Sequence, residues 1–131
     1  MEKLRIYLAG YTLQKEYRRI VHEKYDSDFD ILDPLLLVPQ NHDKLPSLDK
    51  SLIISSDILV AYITQPSWGT AMEIIFAYDH NKLVVIIDPT EQIRKDKWVK
   101  FHCYRFFNSI EECFETLKIR DLNSWLGEEN G

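Results

Sequence analysis

The chain predicts an α/β fold, a parallel β-sheet with helices on both faces, from three observations. Two short segments, Ile58-Leu59-Val60-Ala61-Tyr62-Ile63 and Leu83-Val84-Val85-Ile86-Ile87, are apolar throughout, as strands are when helices cover both of their faces. Around them lie stretches whose apolar residues recur at helical spacing, so strands and helices alternate along the chain. A length of 131 residues leaves room for one well-cored domain and not for two. With four or five strands in that length, the expected architecture is a flavodoxin-like (Rossmann-like) three-layer sandwich, strand order 2-1-3-4-5. We expect one domain over residues 1–126 and a polar tail over 127–131.

The elements follow in order. Leu4-Arg5-Ile6-Tyr7-Leu8-Ala9 is a buried strand stopped by Gly10. Thr12 is placed to cap a helix to about Lys24, in which Leu13, Tyr17, Ile20 and Val21 keep helical spacing. Phe29-Asp30-Ile31-Leu32 is a shorter strand ended by Asp33-Pro34. Residues 33–46 carry three prolines and read as an irregular loop, despite Leu35-Leu36-Leu37-Val38 within it. Ser47 is placed to cap a helix to about Ser56, and the strand at 58–63 comes next. The turn Thr64-Gln65-Pro66-Ser67-Trp68-Gly69 leads to a helix from Thr70 to about His80, then to the strand at 83–87, ended by Asp88-Pro89. A charged segment, 91–100, precedes an aromatic patch of Phe101, Tyr104, Phe106 and Phe107. Ser109-Ile110-Glu111-Glu112 is a capping box that opens a last helix, with Ile110, Cys113, Phe114 and Leu117 on one face.

Composition removes several function classes. Sixteen Lys and Arg against twenty-one Asp and Glu give a net charge of −5, against a general nucleic-acid binder, which needs clustered basic residues. No apolar run approaches the roughly 20 residues of a membrane span, and strand-like sequence begins at once after Met1-Glu2-Lys3, so no signal peptide is expected. We therefore expect a cytoplasmic protein with Cys103 and Cys113 as reduced thiols. Neither cysteine has zinc-ligand spacing, and no metal is expected. Of four glycines only Gly10 and Gly69 lie outside the tail, which excludes a glycine-rich phosphate loop.

In a sheet of order 2-1-3-4-5, ligands bind beyond the carboxyl ends of strands 1 and 3, where the order reverses. The segments leaving those strands are 10–12 and 64–70, and they hold both glycines. Glu73 follows in the next helix. Either Thr70-Ala71-Met72-Glu73 is a capping box, or Glu73 faces the crevice as a reactive carboxylate. Asp49, in the first turn of a helix from Ser47, either complements the helix dipole or offers a second carboxylate to the same crevice. Tyr7 either packs in the core or orients a carboxylate through its hydroxyl. Ser67 either caps the helix or donates to an anion at its positive end. His22, His42, His80 and His102 are dispersed, and no hydrolase triad is legible.

These residues bring a family into view. Ile6-Tyr7-Leu8-Ala9-Gly10, Asp49, Ser56-Asp57-Ile58-Leu59-Val60-Ala61 and Pro66-Ser67-Trp68-Gly69-Thr70-Ala71-Met72-Glu73 together resemble the nucleoside 2-deoxyribosyltransferase family, over about residues 4–89. Thr64-Gln65-Pro66-Ser67, Gly69, Glu73 and Asn81-Lys82 look most like the branch that hydrolyses 2'-deoxynucleoside 5'-monophosphates. The resemblance implies N-glycosidic cleavage in nucleotide metabolism or salvage, with Glu73 as nucleophile forming a deoxyribosyl ester, Asp49 protonating the departing base or steering its proton, and Tyr7 holding Glu73. Gly10, Thr12, Ser67 and Gly69 would line the substrate, and no cofactor is implied. Water as acceptor gives hydrolysis; a second base gives transfer. An acid usually stands at the position of Ser67 in the base-exchanging enzymes, so serine there favours a 5'-phosphate. The branch's Gly-, Ser- and Arg-containing loop after strand 1 is replaced by Tyr11-Thr12-Leu13-Gln14-Lys15, where Thr12, Lys15 or Arg19 would have to substitute. The family's oligomeric habit and the aromatic patch of Trp98, Phe101, Tyr104, Phe106 and Phe107 imply a homodimer or larger assembly. A different class stays open: a nucleotide-binding sensor module without turnover, with Glu73 only a cap.

Overall fold

In the computed structural model, which describes residues 3–119, five strands form one all-parallel sheet. They are β1 (Arg5–Gly10), β2 (Asp30–Leu32), β3 (Ile58–Tyr62), β4 (Leu83–Ile87) and β5 (Arg105–Phe107). Their order is β2-β1-β3-β4-β5, the flavodoxin-like arrangement expected. The described helices are α1 (Lys15–Tyr25), α2 (Pro34–Leu37), α3 (Leu45–Ser55), α4 (Trp68–Asp79), α5 (Lys97–His102) and α6 (Ile110–Lys118), with a 3-10 turn at Ile93–Lys95. The expected domain end at 126 and the tail at 127–131 lie outside the described residues, as do Met1 and Glu2.

Alternation along the strands divides the core into two layers. Leu4, just before β1, and Ile6 and Leu8 of β1, with Ile58, Val60, Val85 and Phe107, pack against Tyr17, Val21 and Tyr25 of α1 and Phe114 and Leu117 of α6. Tyr7 and Ala9, with Leu59, Ala61, Val84 and Ile86, face Ile53 of α3 and Ile74 and Ala77 of α4. Tyr7 thus belongs to the α3/α4 layer.

Helix starts depart from the expectations in a consistent way. The first helix begins at Lys15, with Gln14 rather than Thr12 at its cap position; Thr12 stands in a turn closed by Gln14 N–H on the Tyr11 carbonyl at 2.9 Å. Leu13 is consequently outside the helix and 71% exposed. The supposed loop at 33–46 contains α2, whose first residue is Pro34 and whose cap is the Asp33 carboxylate, accepting from Leu35 N–H at 3.0 Å. Proline at a first helical position loses no hydrogen bond, so the prolines mark helix starts here rather than a loop. The same holds for Pro46: α3 starts at Leu45, and Ser47 lies inside it and is not its cap. Similarly α4 starts at Trp68 and is capped by Ser67. The aromatic patch divides, since Phe107 on β5 is fully buried and Phe106 packs on the α3/α4 layer, leaving Trp98, Phe101 and Tyr104 exposed. The last helix starts at its expected cap, with Glu112 N–H on the Ser109 hydroxyl at 3.1 Å, while the Glu112 carboxylate reaches back to Asn108 N–H at 3.4 Å rather than to Ser109 N–H.

Candidate active site

The carboxyl ends of β1 and β3 meet where the strand order reverses, and β1 brings Tyr7 there on the α3/α4 side. Its hydroxyl donates a hydrogen bond to Glu73 Oε2. Because α4 begins at Trp68, Glu73 lies in the second turn of the helix, beyond the reach of a cap. Thr70-Ala71-Met72-Glu73 is therefore not a capping box: Ser67 takes the Thr70 N–H at 3.5 Å, and the Glu73 carboxylate is held by Tyr7. Asp49 likewise moves to the second turn of α3, too deep for a dipole role. Its Oδ1 is buried with no hydrogen-bond partner. An orphaned buried carboxylate oxygen is costly, and a ligand that donates to it relieves that cost.

The electrostatics match this crowding. Burial pushes the Glu73 carboxyl up to about 7, an effect opposed by the Tyr7 hydrogen bond, reinforced by the Asp49 charge and opposed by Arg18. Burial also raises the Asp49 carboxyl, again against Arg18. The Tyr7 hydroxyl is held above the ordinary phenol range by burial and by the Glu73 charge, so it stays a protonated donor. Two carboxyls, both raised by burial, and a phenol that keeps its proton therefore share a partly buried space.

The predicted binding residues divide. Gly10 ends β1 with φ +149°, and a Cβ there would meet the Tyr62 carbonyl at 3.0 Å, so both backbone and space require glycine. Gly69 is different: it lies in the first turn of α4 and a Cβ would touch nothing within 4 Å. No other part of the described chain approaches Gly69 closely. Ser67 accepts from Thr70 N–H and from Thr70 Oγ1–H at 3.2 Å, so its own hydroxyl proton remains available as a donor. Thr12 is exposed in the turn after β1. Arg19, named as a substitute phosphate ligand, points along the exposed face of α1 and pairs with Glu16 and Glu23.

Two features escaped the sequence reading. The Gln14 side chain donates to Thr64 Oγ1 and ties the segment after β1 to the segment after β3 across the crevice. Arg18, 6% exposed, donates to the Leu8 carbonyl at 3.2 Å, the Gly10 carbonyl at 3.1 Å and Asp33 Oδ1 at 2.8 Å. The second oxygen of Asp33 meets His22 Nε2 at 2.8 Å, so His22 is not a stray surface histidine. A signal was present: Tyr17, Arg18, Val21 and Tyr25 share one buried helical stripe, which puts an arginine in the core face.

An apolar cavity of about 500 Å³ lies on the other side of α4, lined by Ile63, Pro66, Ser67, Thr70, Ile74 and Val99, and it shares Ser67 with the site. A larger depression of about 710 Å³ sits at the amino ends of the strands among Lys3, Arg5, Asp26, Asp30 and Asp57. Its walls are bonded to one another, as in the Arg5–Asp30 pair, and it holds none of the site residues. Among the described residues no helix is long and apolar enough to cross a membrane.

No family model and no curated protein matches the chain. Solved structures do. A conserved protein from Enterococcus faecalis V583 is 22% identical with a TM-score of 0.71, over 91% of this chain and 99% of that one. A 2-deoxyribosyltransferase from Bacillus psychrosaccharolyticus is 20% identical with a TM-score of 0.67, over 92% of this chain and 94% of that one. A CMP N-glycosidase from Clostridium botulinum is 19% identical with a TM-score of 0.58, over 88% and 99%. The chain has the fold of these proteins, as the resemblance of its motifs implied.

Proposed function

We propose that the chain is an enzyme of the nucleoside 2-deoxyribosyltransferase family that cleaves the N-glycosidic bond of 2'-deoxynucleoside 5'-monophosphates. The observation that carries this reading is the Tyr7–Glu73 hydrogen bond at the sheet's reversal point, beside the unpartnered buried oxygen of Asp49. The shared fold of a 2-deoxyribosyltransferase and an N-glycosidase supports it.

The chemistry follows from the roles. Ionised Glu73 attacks C1' of the sugar while the C1'–N bond breaks, and the bond's electron pair leaves with the base. Neutral Asp49 gives its proton to that nitrogen, so the base departs uncharged. Tyr7 orients the nucleophile and, staying protonated, competes for none of the negative charge. Asp49, now a carboxylate, takes a proton from water as the water oxygen attacks C1' of the ester. Glu73 leaves as carboxylate, and 2-deoxyribose 5-phosphate is released. A sugar without a 2'-hydroxyl forms the intervening oxocarbenium-like state more easily. Ser67, with a donor proton at the start of α4, is placed to meet the phosphate beside the positive helix end.

A second reading, base exchange between free deoxynucleosides, is favoured by one observation: Arg19 is occupied by Glu16 and Glu23, and the turn at 11–14 brings no other arginine. One incubation separates the readings. The four deoxynucleoside monophosphates and four deoxynucleosides are supplied with and without free adenine, and released base and new nucleoside are quantified by chromatography. Base released from monophosphates without adenine is the expected result. Exchange confined to free nucleosides selects the second reading, and binding with no release from any substrate refutes both in favour of a sensor.

A further inference from the structure

The ladder between β1 and β2 stops early, and the reason is a proline. The Leu4 carbonyl accepts from Asp30 N–H at 2.9 Å, and Tyr7 stands opposite Leu32. In a parallel pair the bonds advance two residues at a time on each strand. The next positions set the Ile6 carbonyl against Leu32 and the Leu8 carbonyl against residue 34, which is Pro34 and has no N–H. On its β2 side the end of β1 therefore lacks partners for the Leu8 and Gly10 carbonyls, while on its β3 side pairing continues to Gly10 opposite Tyr62. Arg18 fills both gaps with its two terminal nitrogens. Asp33 neutralises the guanidinium and, with the same Oδ1, caps α2.

We propose that Arg18 is a positioning residue of the active site: from α1 it clamps the unpaired end of β1 to Asp33, and so fixes where Tyr7 holds Glu73. This deepens the glycosidase reading and rests on it for its activity readout alone. The guanidinium touches neither Tyr7 nor Glu73 by any hydrogen bond among the described residues; it acts through the strand. Its charge acts on all three of Tyr7, Asp49 and Glu73. A buried arginine whose fork spans two strand carbonyls and a carboxylate has a geometry that lysine, a single point of charge, does not reproduce.

Arg18→Met alone leaves Asp33 buried and unpaired and invites unfolding, so the test uses Arg18→Met combined with Asp33→Asn, and separately Arg18→Lys. Folding is checked by urea titration. Turnover of the preferred deoxynucleotide is measured, and Glu73 is titrated by carbon NMR of labelled glutamate, its signal assigned by its loss in Glu73→Gln. In the folded double variant kcat falls about tenfold to a hundredfold, as misplacement of a reacting group does, with KM little changed. The Glu73 titration moves to higher pH because the Arg18 cation is gone, though by less than loss of that cation alone would give, since the Asp33 charge goes with it. Arg18→Lys keeps the titration near wild type but does not restore kcat, which separates clamp from charge. A folded double variant with wild-type kcat and wild-type Glu73 titration overturns the proposal. Turnover by Glu73→Gln at the wild-type rate would instead overturn the glycosidase reading, with the effect of the Arg18 charge on Glu73 still read from the NMR titration.

Discussion

Replacing Glu73 with Gln should abolish turnover and, at neutral to alkaline pH, make the protein more stable. The carboxyl is raised from its ordinary 4.5 to about 7 by burial, outweighing the Tyr7 hydrogen bond. Below pH 4.5 both folded and unfolded chains carry the proton and nothing is lost. Between 4.5 and 7 the unfolded chain sheds the proton while the folded chain keeps it, so stability falls as pH rises through that window. Above 7 the folded protein bears the whole cost of an ionised, confined carboxylate. At about 1.4 kcal/mol per pH unit this comes to about 3 kcal/mol. Water entering the crevice takes back part, so we expect a gain of about 1–3 kcal/mol for Glu73→Gln at pH 8.

Gln keeps the contact, since its carbonyl oxygen still accepts from the Tyr7 hydroxyl, and it carries no titrating proton. The advantage over wild type should therefore be small at pH 5 and full by pH 8. Urea unfolding at four or five pH values in that range measures it, with one slope for both proteins confirming a common transition. A difference that stays constant with pH, or a variant less stable than wild type at pH 8, refutes the reasoning. Stability gained where activity is lost is the expected mark of a residue kept for chemistry.

Other perturbations separate the remaining roles. If Asp49 delivers the proton, the Asp49–Glu73 pair must enter the reaction with one proton between them, and kcat/KM should fall as pH rises through the upper step near 7. Asp49→Asn should cost about 10²–10⁴ in kcat; a wild-type rate that climbs through pH 7 to a plateau would mean that Asp49 only steers the base. Ser67→Asp retains a good helix cap but sets a charge against a 5'-phosphate, so the monophosphate-to-nucleoside ratio of kcat/KM should drop by about 2 kcal/mol, near thirtyfold. An unchanged ratio removes Ser67 from phosphate recognition. Trp98 and Phe101, 76% and 68% exposed, with Tyr78 packed on Phe101, make an aromatic surface that predicts self-association. Sedimentation at micromolar concentration should show a dimer or larger, lost in Trp98→Glu; a fully active wild-type monomer refutes it.

Four of the five strands were legible because an apolar run bounded by Gly, Asp or Pro has few other readings in a chain of this length; β5 was not, since its three residues read as part of an aromatic patch. Helix starts were not, and for a physical reason. Ser47, Thr70 and Thr12 each look like caps, but a cap is defined by which backbone N–H groups lack partners, and that depends on where the preceding strand releases the chain. Pro34 and Pro46, read as loop markers, sit in first turns where their missing N–H is harmless. Within the site, Glu73, Asp49 and Tyr7 were chosen by type and topology, and the structure brings Tyr7 and Glu73 into contact. Gly10 earned its place through φ and the Tyr62 carbonyl, whereas Gly69 shows no such constraint. Arg18 was missed because an arginine among apolar residues of a helix reads as a surface residue unless its partners are known, and Asp33 lies fifteen residues away.

The crevice itself follows from a mismatch in strand length. β2 has three residues and β1 has six, so the last part of β1 is supported by β3 on one side only. Had β2 continued, its backbone would occupy the edge that Arg18 now holds, and the segment from Asp33 would run on along the sheet instead of turning into α2. The turn is forced by local chemistry: Pro34 cannot donate to β1, Asp33 caps the helix that proline begins, and the same carboxylate needs a cation once it is buried. Arg18 supplies that cation from the α1 layer, while Tyr7 faces the α3 and α4 layer where Glu73 and Asp49 stand. One strand thus carries support on one face and the proposed chemistry on the other. A change that lengthens β2 by two paired residues would close the opening, and the polar groups at the end of β1 would be satisfied without leaving space for a substrate.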